Sequence, residues 1–372
     1  MIKENQNFLS KQLITYIGNK RALLGEIQTA IQIVQKELKK EKLVCLDLFS
    51  GSGVVARLLK QFSETIIAND LEEYSKIIND CFLSNKKELD IKKYNKYLLK
   101  INKLIEKKPI TNGIIRANYS PVDDKDIQIN DRVFYTNENA IYIDSFRYYI
   151  DKVVPNKYKK YFIALLLVES SIHVNTAGVF KGFYKDPDTK TGKFGGKSEN
   201  ALNRIKGKIN ISIPHLSDFE SNYEVYQKDA IELAGELKNL DFVYLDPPYN
   251  EHPYGSNYFM LNIIAKNEMP NEISRVSGIP KIWNRSIFNK KKTALRGLKE
   301  IILRLDAKYI LVSYNNEGLI GYNEIKNMLS LFGKLEEKII KYNTFKGSRN
   351  LKNRDTHTKE YLFLLQKEEA CI

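Results

Sequence analysis

Short apolar segments that stop at polar or turn-forming residues predict buried β-strands at three places in the chain. These segments cover residues 44–49, 65–68 and 242–245. Each is shorter than an ordinary helix, and glycine, asparagine or proline follows within a few residues. Apolar positions with helical spacing follow the first segment between residues 54 and 59. A strand, a turn and a helix in this order indicate an α/β fold.

The most informative strand end is the sequence DPPY at residues 246–249. Two prolines prevent the strand from continuing, so a carboxylate and an aromatic ring lie together at its C-terminal end. In open α/β sheets, ligands bind outside that edge. The Asp246 carboxylate and the Pro247 carbonyl can accept hydrogen bonds from an exocyclic amine, while Tyr249 offers a ring for stacking. This chemistry suits a base that carries an amine, although an Asp-Pro turn that merely ends a strand would also explain the four residues.

A glycine turn and an acid follow the two N-terminal strands. Residues 50–53 (SGSG) connect the first strand to a helix, an arrangement that brings backbone N–H groups close to a ligand. The turn has neither the full GxGxxG spacing nor the lysine of a phosphate-binding P-loop. Asp70 ends the second strand, where such folds hydrogen-bond a ribose. The turn, the acid and DPPY together favour a functional site over three unrelated structural turns.

The order of these motifs resembles that of the D12-class DNA N6-adenine methyltransferases. In that family a GxK segment, an FxGxG loop, an insertion and DPPY follow one another, and the first two correspond here to residues 18–20 and 49–53. Residues 310–316 and 359–363 also resemble the family. The likeness covers both ends of the chain and is weaker in the middle.

The resemblance implies a fold and a domain organisation. We expect the Rossmann-like α/β sheet of an S-adenosylmethionine-dependent methyltransferase, with helices on both faces. The catalytic domain is expected to be discontinuous, with residues 1–85 and 226–372. Residues 86–225 are expected to form an inserted, mainly helical target-recognition region with a hairpin or loop.

The resemblance also implies a reaction, which is methyl transfer from S-adenosylmethionine to N6 of an adenine flipped out of double-stranded DNA. A covalent enzyme intermediate is not expected, because no cysteine follows a proline. The implied catalytic residues are Asp246, Pro247, Pro248 and Tyr249. The implied cofactor contacts are Tyr16, Lys20, Asp47, Phe49, Ser50, Gly51, Gly53, Asp70, Asp229 and Asp246. For Asp229, a helix N-cap is an equally good account.

Within the insertion, the sequence predicts helices at residues 86–108 and 158–174 and a strand-like segment at 132–135. Residues 175–197 alternate aromatic and basic residues with glycines, which predicts a loop or hairpin. Dam-like relatives carry a DNA-contacting hairpin in this part, so its lysines are expected to neutralise phosphates and its aromatic rings to stack on bases. The expected contacts are Lys181, Tyr184, Lys185, Lys193 and Lys197, with Phe180 and Phe183 as further stacking candidates. An ordinary surface loop with aromatic residues tucked into the domain is the alternative.

A second aromatic segment, residues 251–285, follows DPPY. It contains Tyr254, Tyr258, Phe259 and the single tryptophan of the chain, Trp283. We expect these rings to form a wall over the target base, although core packing would also explain them.

Composition agrees with these expectations. A length of 372 residues suggests about two domains, and 43% apolar residues are enough for a buried core. The formal net charge of +14 favours a polyanionic partner, although a basic surface also improves solubility. An RNA adenine methyltransferase and a non-catalytic DNA-binding protein on the same fold remain as alternatives.

The cysteines and histidines give no sign of a metal site. Cys45, Cys81, Cys371 and four histidines lack metal-ligand spacing. No signal peptide is evident, and the longest apolar stretch, residues 162–168, is too short to span a membrane. We therefore expect a cytoplasmic enzyme that needs no metal. The resemblance implies that it acts as a monomer, with any cognate restriction endonuclease as a separate protein.

Overall fold

Seven strands form one sheet in residues 4–196, 201–343 and 357–368, the part of the chain that this computed structural model describes. The strands are β1 (Leu43–Asp47), β2 (Ser63–Asn69), β3 (Asn222–Tyr226), β4 (Leu240–Leu245), β5 (Ala307–Asn315), β6 (Gly333–Asn343) and β7 (His357–Lys367). Their order in the sheet is β3-β2-β1-β4-β5-β7-β6. The first five strands are parallel, whereas β7 runs antiparallel to both β5 and β6.

Helices surround this sheet. They are α1 (Gln6–Ser10), α2 (Leu24–Leu38), α3 (Val54–Lys60), α4 (Glu73–Phe82), α5 (Ile91–Lys107), α6 (Ile114–Tyr119), α7 (Asn137–Val153), α8 (Asn156–Ile172), α9 (Leu202–Lys206), α10 (Ala230–Glu236), α11 (Tyr254–Asn257), α12 (Phe259–Lys266), α13 (Lys291–Arg304) and α14 (Tyr322–Leu329). In the described part of the chain, none of the helices has the length and apolar character that crossing a membrane requires.

Strand β4 confirms the strand that the sequence predicts before DPPY. Its residues are all buried, as expected for a central strand of a parallel sheet. The strand begins earlier than predicted, at Leu240, and includes the charged Asp241. That carboxylate is tolerated because the ammonium groups of Lys40 and Lys308 lie 2.8 and 3.0 Å from its oxygens.

Alternate residues of the strands pack against two helical layers. Leu46 and Val243 belong to a core with α10, α13 and α14 on one face of the sheet. Cys45 and Phe242 belong to a core with α2 and α3 on the other face. The expectation of helices on both faces is therefore confirmed, and the period of two along a strand is its physical basis.

The chain between β2 and β3 is mainly helical. The predicted helices at 86–108 and 158–174 are confirmed with slightly different bounds, as α5 and α8. Helices α5 to α8 share a third core with α4 and α12. Strand β3 begins at Asn222, inside the stretch that the sequence assigned to the insertion. It is an edge strand without a fully buried residue, so its apolar signal is weak.

The prediction of a strand-like segment at 132–135 is wrong. The side chains of Val133, Phe134 and Tyr135 are fully buried, which explains their β-like composition. The amides of Phe134 and Tyr135 both donate to the Tyr119 carbonyl, at 3.1 and 3.2 Å. In a β-ladder, successive hydrogen bonds go to different residues of the partner strand, whereas both amides here share one carbonyl. The segment therefore packs as irregular backbone against the end of α6.

Candidate active site

A cavity opens at the C-terminal ends of β1, β2 and β4, where the sequence predicted its motifs. It is called here the first cavity, and its wall combines the N-terminal segment 16–20, the glycine turn, Asp70 and Asp246. Apart from Gly53, every residue that the resemblance assigned to cofactor contact lines this cavity. The parallel strands explain the convergence, because their C-terminal ends meet at one edge of the sheet.

Backbone geometry explains the glycines at 51 and 53, whose φ angles are +51° and +75°. A Cβ on Gly51 would lie 2.6 Å from the Tyr16 ring, and one on Gly53 would lie 2.6 Å from Asn79 Oδ1. The Gly51 N–H donates to Asp70 Oδ2 at 2.8 Å. Only glycine suits these two positions, and the hydrogen bond ties the turn to the acid after β2.

Lys20 joins the N-terminal segment to DPPY. Its Nζ lies 3.1 Å from Asp246 Oδ1 and 2.9 Å from Glu360 Oε1. Burial favours a lower pKa of Lys20, but the charges of Asp246 and Glu360 raise that pKa well above its usual value. Lys20 is therefore a buried, charged ammonium shared by two carboxylates.

Asp246 is the more accessible of the two carboxylates, with 17% of its side chain exposed against 5% for Glu360. Burial raises the pKa of Asp246 to about 6, Lys20 opposes this shift and Glu360 adds to it. At neutral pH the Asp246 carboxyl is ionised, and it becomes protonated as the pH falls through about 6.

Two further acids line the first cavity. The Asp47 carboxylate is buried, and its Oδ1 has no hydrogen-bond partner. Burial, with the charges of Asp246 and Asp70, raises the pKa of Asp47 well above its usual value. Asp70 accepts hydrogen bonds from the amides of Gly51 and Glu72, at 2.8 and 2.9 Å. The cavity thus presents acceptors, with Asp47 Oδ1 still open to a donor.

Tyr16 lies in a stack of tyrosines. Its ring centroid is 5.0 Å from that of Tyr254 and 4.8 Å from that of Tyr258, and both pairs are nearly parallel. The Ile17 N–H donates to the Tyr258 hydroxyl at 2.8 Å, and the Tyr254 hydroxyl donates to the Ile17 carbonyl at 3.2 Å. Tyr254 of α11 and Tyr258, which lies between α11 and α12, therefore clamp the segment that carries Lys20.

These contacts test the expected aromatic wall over the target base. Tyr258 and Phe259 are buried in the core, so the expectation is wrong for both, and core packing accounts for them. Tyr254 lines the first cavity. Trp283 is partly exposed, with the Arg285 guanidinium 5.6 Å from its ring.

A second cavity adjoins the first along residues 16–20. Tyr249 and Glu360 line it, and Ala177 borders it from the loop that precedes α9. Asp246 lines only the first cavity, whereas Tyr249 lines only the second. The DPPY turn and Lys20 therefore stand where the two cavities meet.

The remaining predicted residues lie around this junction. Asp229 is exposed, caps α10 by accepting from the amides of Ile231 and Glu232, at 2.8 and 3.4 Å, and also borders the first cavity. The structure is thus compatible with both accounts of Asp229. Pro248 lines the first cavity, and Pro247 is buried beside it.

Comparison with known proteins identifies the family. The model of the D12 class N6 adenine-specific DNA methyltransferases matches residues 16–328. This chain belongs to that family. It is 30% identical over 364 residues to the type II methyltransferase M.NlaIII of Neisseria lactamica, covering 95% of this chain and 99% of that protein. The enzyme is thus an adenine-specific DNA methyltransferase, and DNA is its substrate.

Two further relatives of this D12 methyltransferase differ in length. The type II methyltransferase M.CviAII of Paramecium bursaria Chlorella virus 1 is 28% identical over 364 residues, with 96% of this chain and 99% of that protein covered. The type II methyltransferase M.FokI of Planomicrobium okeanokoites is 27% identical over 372 residues. That match covers 95% of this chain but 53% of M.FokI, so the chain spans about half of that relative.

The loop that this methyltransferase was expected to use on DNA lies between α8 and α9. A turn at residues 186–191 and a bridge between Lys185 and Gly192 give it a hairpin-like form. Lys185 is exposed, and Lys181, Tyr184 and Lys193 are partly exposed. Lys197 lies outside the described residues.

The aromatic residues of this loop do not all serve the expected purpose. Phe180 and Phe183 are buried, and the Phe183 ring meets the Phe134 ring edge-on at 5.2 Å. The expectation that they stack on bases is therefore wrong, and the alternative of rings tucked into the domain holds. The Phe180 amide donates to the Asn257 carbonyl at 2.8 Å, which attaches the loop to α11 beside the first cavity.

Sequence reasoning missed Glu360 as a site residue. The stretch 359–363 resembles the family, but nothing local indicates that its acid meets Lys20 near the other end of the chain. The available signal was an acid directly before the apolar run at residues 361–365. Among the described residues, no group of three or more histidines, cysteines or acids is placed to hold a metal ion.

Proposed function

We propose that this methyltransferase binds S-adenosylmethionine in the first cavity and a flipped adenine of duplex DNA in the second. We further propose that it is the modification enzyme of a type II restriction–modification system. The observation that carries the proposal is the Asp246 carboxylate, held by Lys20 at 3.1 Å where the two cavities meet.

The first cavity has the chemistry that S-adenosylmethionine requires. Asp47 Oδ1 is buried without a partner, which fits a positively charged donor such as the ammonium of the cofactor's methionine part. Asp70 directly follows β2, the position from which folds of this type bind a ribose. Tyr16 adds an aromatic surface. When bound, S-adenosylmethionine supplies an electrophilic methyl group on a positively charged sulfur.

Asp246 and Pro247 supply the acceptors for the adenine amine. The N6 lone pair is delocalised into the ring, so the free amine is a poor nucleophile. Hydrogen bonds from its two N–H groups to the Asp246 carboxylate and the Pro247 carbonyl favour a pyramidal nitrogen whose lone pair points toward the first cavity. Catalysis then consists mainly of positioning and electrostatic stabilisation.

Tyr249 supplies a stacking surface in the second cavity. Flipping a base costs a few kcal/mol of unpairing and unstacking, and stacking on an aromatic side chain returns about 1–3 kcal/mol per base. The second cavity is bordered by the loop between α8 and α9, whose lysines we propose as phosphate contacts.

The relatives support the role in modification. M.NlaIII and M.CviAII are named type II methyltransferases, and each aligns over nearly its whole length. We propose that the cognate endonuclease is a separate protein and that one copy of the methyltransferase modifies each strand in turn.

The test is methylation of a native plasmid, with N6-methyladenine mapped by single-molecule sequencing. The wild type is expected to modify adenines within one recurrent sequence. Asp246→Ala is expected to lower turnover at least ~100-fold, as does the loss of one preorganised polar group in other enzymes. Near-normal turnover in this variant would remove Asp246 from the mechanism. If the wild type leaves DNA unmodified although it binds the cofactor in calorimetry, RNA becomes the acceptor to test.

A further inference from the structure

We propose that Glu360 is a positioning residue for methyl transfer, which holds the Lys20 ammonium between two carboxylates and sets the charge that Asp246 presents to the adenine amine. The inference rests on the proposed role of Asp246 as acceptor. Glu360 itself comes from β7, far along the chain from both Lys20 and DPPY.

The contacts of Glu360 support this role. Its Oε1 lies 2.9 Å from Lys20 Nζ, slightly closer than Asp246 Oδ1 at 3.1 Å. The Ser313 hydroxyl, on β5, donates to the same Oε1 at 2.8 Å. Both Ser313 and Glu360 are buried, so the carboxylate has a defined position rather than a solvated one. Lys20 is therefore held at a fixed point, from which it reaches Asp246.

Burial of this acid carries an energetic cost that a purely structural role does not require. An isolated carboxylate in the protein interior is costly unless it is paired and hydrogen-bonded, and a strand in a hydrophobic sheet could carry an apolar residue at this position instead. The Lys20 cation here has two anionic neighbours, so the cluster of three keeps one net negative charge. That charge lies beside the junction where the substrate amine must donate hydrogen bonds.

The electrostatic effect on Asp246 has a definite sign. The negative charge of Glu360 raises the pKa of Asp246, and the positive charge of Lys20 lowers it. Removing one charge or the other must therefore move the protonation of Asp246 in opposite directions. Such opposite shifts distinguish a positioning role from simple loss of stability.

Other titratable groups around Asp246 are the same in all the variants. They lie on β1, β4, α11 and β5 and are Asp47, Tyr244, Tyr254 and Tyr314. Burial raises the pKa of each tyrosine above its usual value, so the three phenols stay neutral in the pH range of the experiment.

The experiment measures kcat/KM for plasmid methylation between about pH 5 and 8.5, a range that brackets the titration of Asp246. The wild type is expected to lose activity as the pH falls through about 6, since protonated Asp246 offers a weaker acceptor. The pH at which half of the activity is lost is called here the acid limb. Glu360→Gln is expected to lower the acid limb by about one pH unit, and Lys20→Gln is expected to raise it by about the same amount, as expected for charges within a few ångströms. The double variant is expected to lie between them, because the two residues share one network.

Asp241→Asn is the matched control. Asp241 is also buried and also paired with two lysines, but it lies at the opposite end of β4. It is expected to lower thermal stability without moving the acid limb. If Glu360→Gln folds poorly, Ser313→Ala can be measured instead, because it removes the hydrogen bond that fixes the Glu360 carboxylate. A carboxylate that moves away from Asp246 acts on it more weakly, so this variant is expected to shift the acid limb in the same direction by less.

The inference is overturned if Glu360→Gln is folded and keeps the wild-type acid limb, or if it moves that limb upward. Such a result leaves the role of Asp246 standing, because only Asp246→Ala tests that. Loss of activity in Asp246→Ala together with an unmoved limb in Glu360→Gln therefore separates failure of this inference from failure of the proposed function.

Discussion

Gly18 illustrates how an absent side chain shapes the site. Its φ of +75° lies in the left-handed region, and a Cβ there would sit 2.4 Å from the Tyr249 hydroxyl. The GxK segment and the DPPY tyrosine are therefore in van der Waals contact because position 18 is glycine. Gly18 also lies two residues before Lys20, so a displacement at this position reaches both cavities.

Gly18→Ala is expected to lower turnover about 10- to 100-fold, because the methyl group displaces Tyr249 and small misplacements in an active site have costs of this size. Gly25→Ala is the matched control, since Gly25 lies in α2 and a Cβ there meets nothing within 4 Å. It is expected to leave turnover unchanged and to stabilise the helix by up to about 1 kcal/mol. Equal turnover in the two variants would contradict the steric argument.

At the scale of elements, the clamp of Tyr254 and Tyr258 on the N-terminal segment connects the insertion to the site. The Phe180 ring of the insertion loop meets the Tyr258 ring at 6.2 Å, and Tyr258 in turn accepts the Ile17 N–H. These packed contacts connect the loop to the segment that carries Lys20, so a displacement of the loop also moves that segment.

Tyr258→Phe is expected to weaken cofactor binding and to destabilise the fold by about 1–3 kcal/mol, because it leaves the Ile17 N–H without its acceptor. Tyr135→Phe serves for comparison, since Tyr135 is equally buried but its hydroxyl has no hydrogen-bond partner. That change is expected to be neutral or slightly stabilising. Calorimetry with S-adenosylmethionine and thermal unfolding measure both effects, and equal losses in the two variants would refute the clamp.

Elements that a pattern within a short stretch of sequence reveals were predictable. Contacts between residues that lie far apart in the chain were not. The strand before DPPY was found because an apolar run meets two prolines, and the glycine turn because its residues allow positive φ. The segment 132–135 was misassigned because burial against helices selects the same residues as a strand does. Phe180 and Phe183 were misassigned for a related reason, since the sequence pattern of an aromatic residue in a glycine-rich loop is the same whether the ring faces DNA or the core.

The contact between Glu360 and Lys20 depends on topology. Glu360 lies on β7 next to Ser313 on β5, because the sheet order β5-β7-β6 places β7 inside the sheet rather than at its edge. No spacing rule along the chain reveals such a placement. The chemistry of DPPY was therefore predictable from sequence, whereas the charged residues that support it were not.

At the scale of the whole molecule, the net charge of +14 comes from basic residues on several surfaces, and only some of these surfaces adjoin the site. The loop between α8 and α9, which carries Lys181, Lys185 and Lys193, borders the second cavity at Ala177 and Val179. Exposed lysines of α5, such as Lys96, Lys100 and Lys103, line neither of the two cavities.

Replacing Lys181, Lys185 and Lys193 together by alanine is expected to reduce the dependence of DNA affinity on salt, by about one unit of slope for each phosphate that is no longer neutralised. The triple alanine variant of Lys96, Lys100 and Lys103 removes the same charge and is expected to leave the slope unchanged. Titrations at several salt concentrations measure both. Equal changes in the two variants would mean that charge acts from the whole surface and that the loop makes no special contact with DNA.

The position of β7 has a consequence for how the enzyme is made in a cell. This strand follows all the other described strands in the chain, yet it lies between β5 and β6, which have been synthesised before it. While the ribosome has not yet delivered residues 357–367, those two strands have no common neighbour and Lys20 lacks its second carboxylate. A nascent chain can thus form the glycine turn and the acid of the first cavity early. It acquires a continuous seven-stranded sheet, and with it the complete charge cluster, only after β7 has emerged.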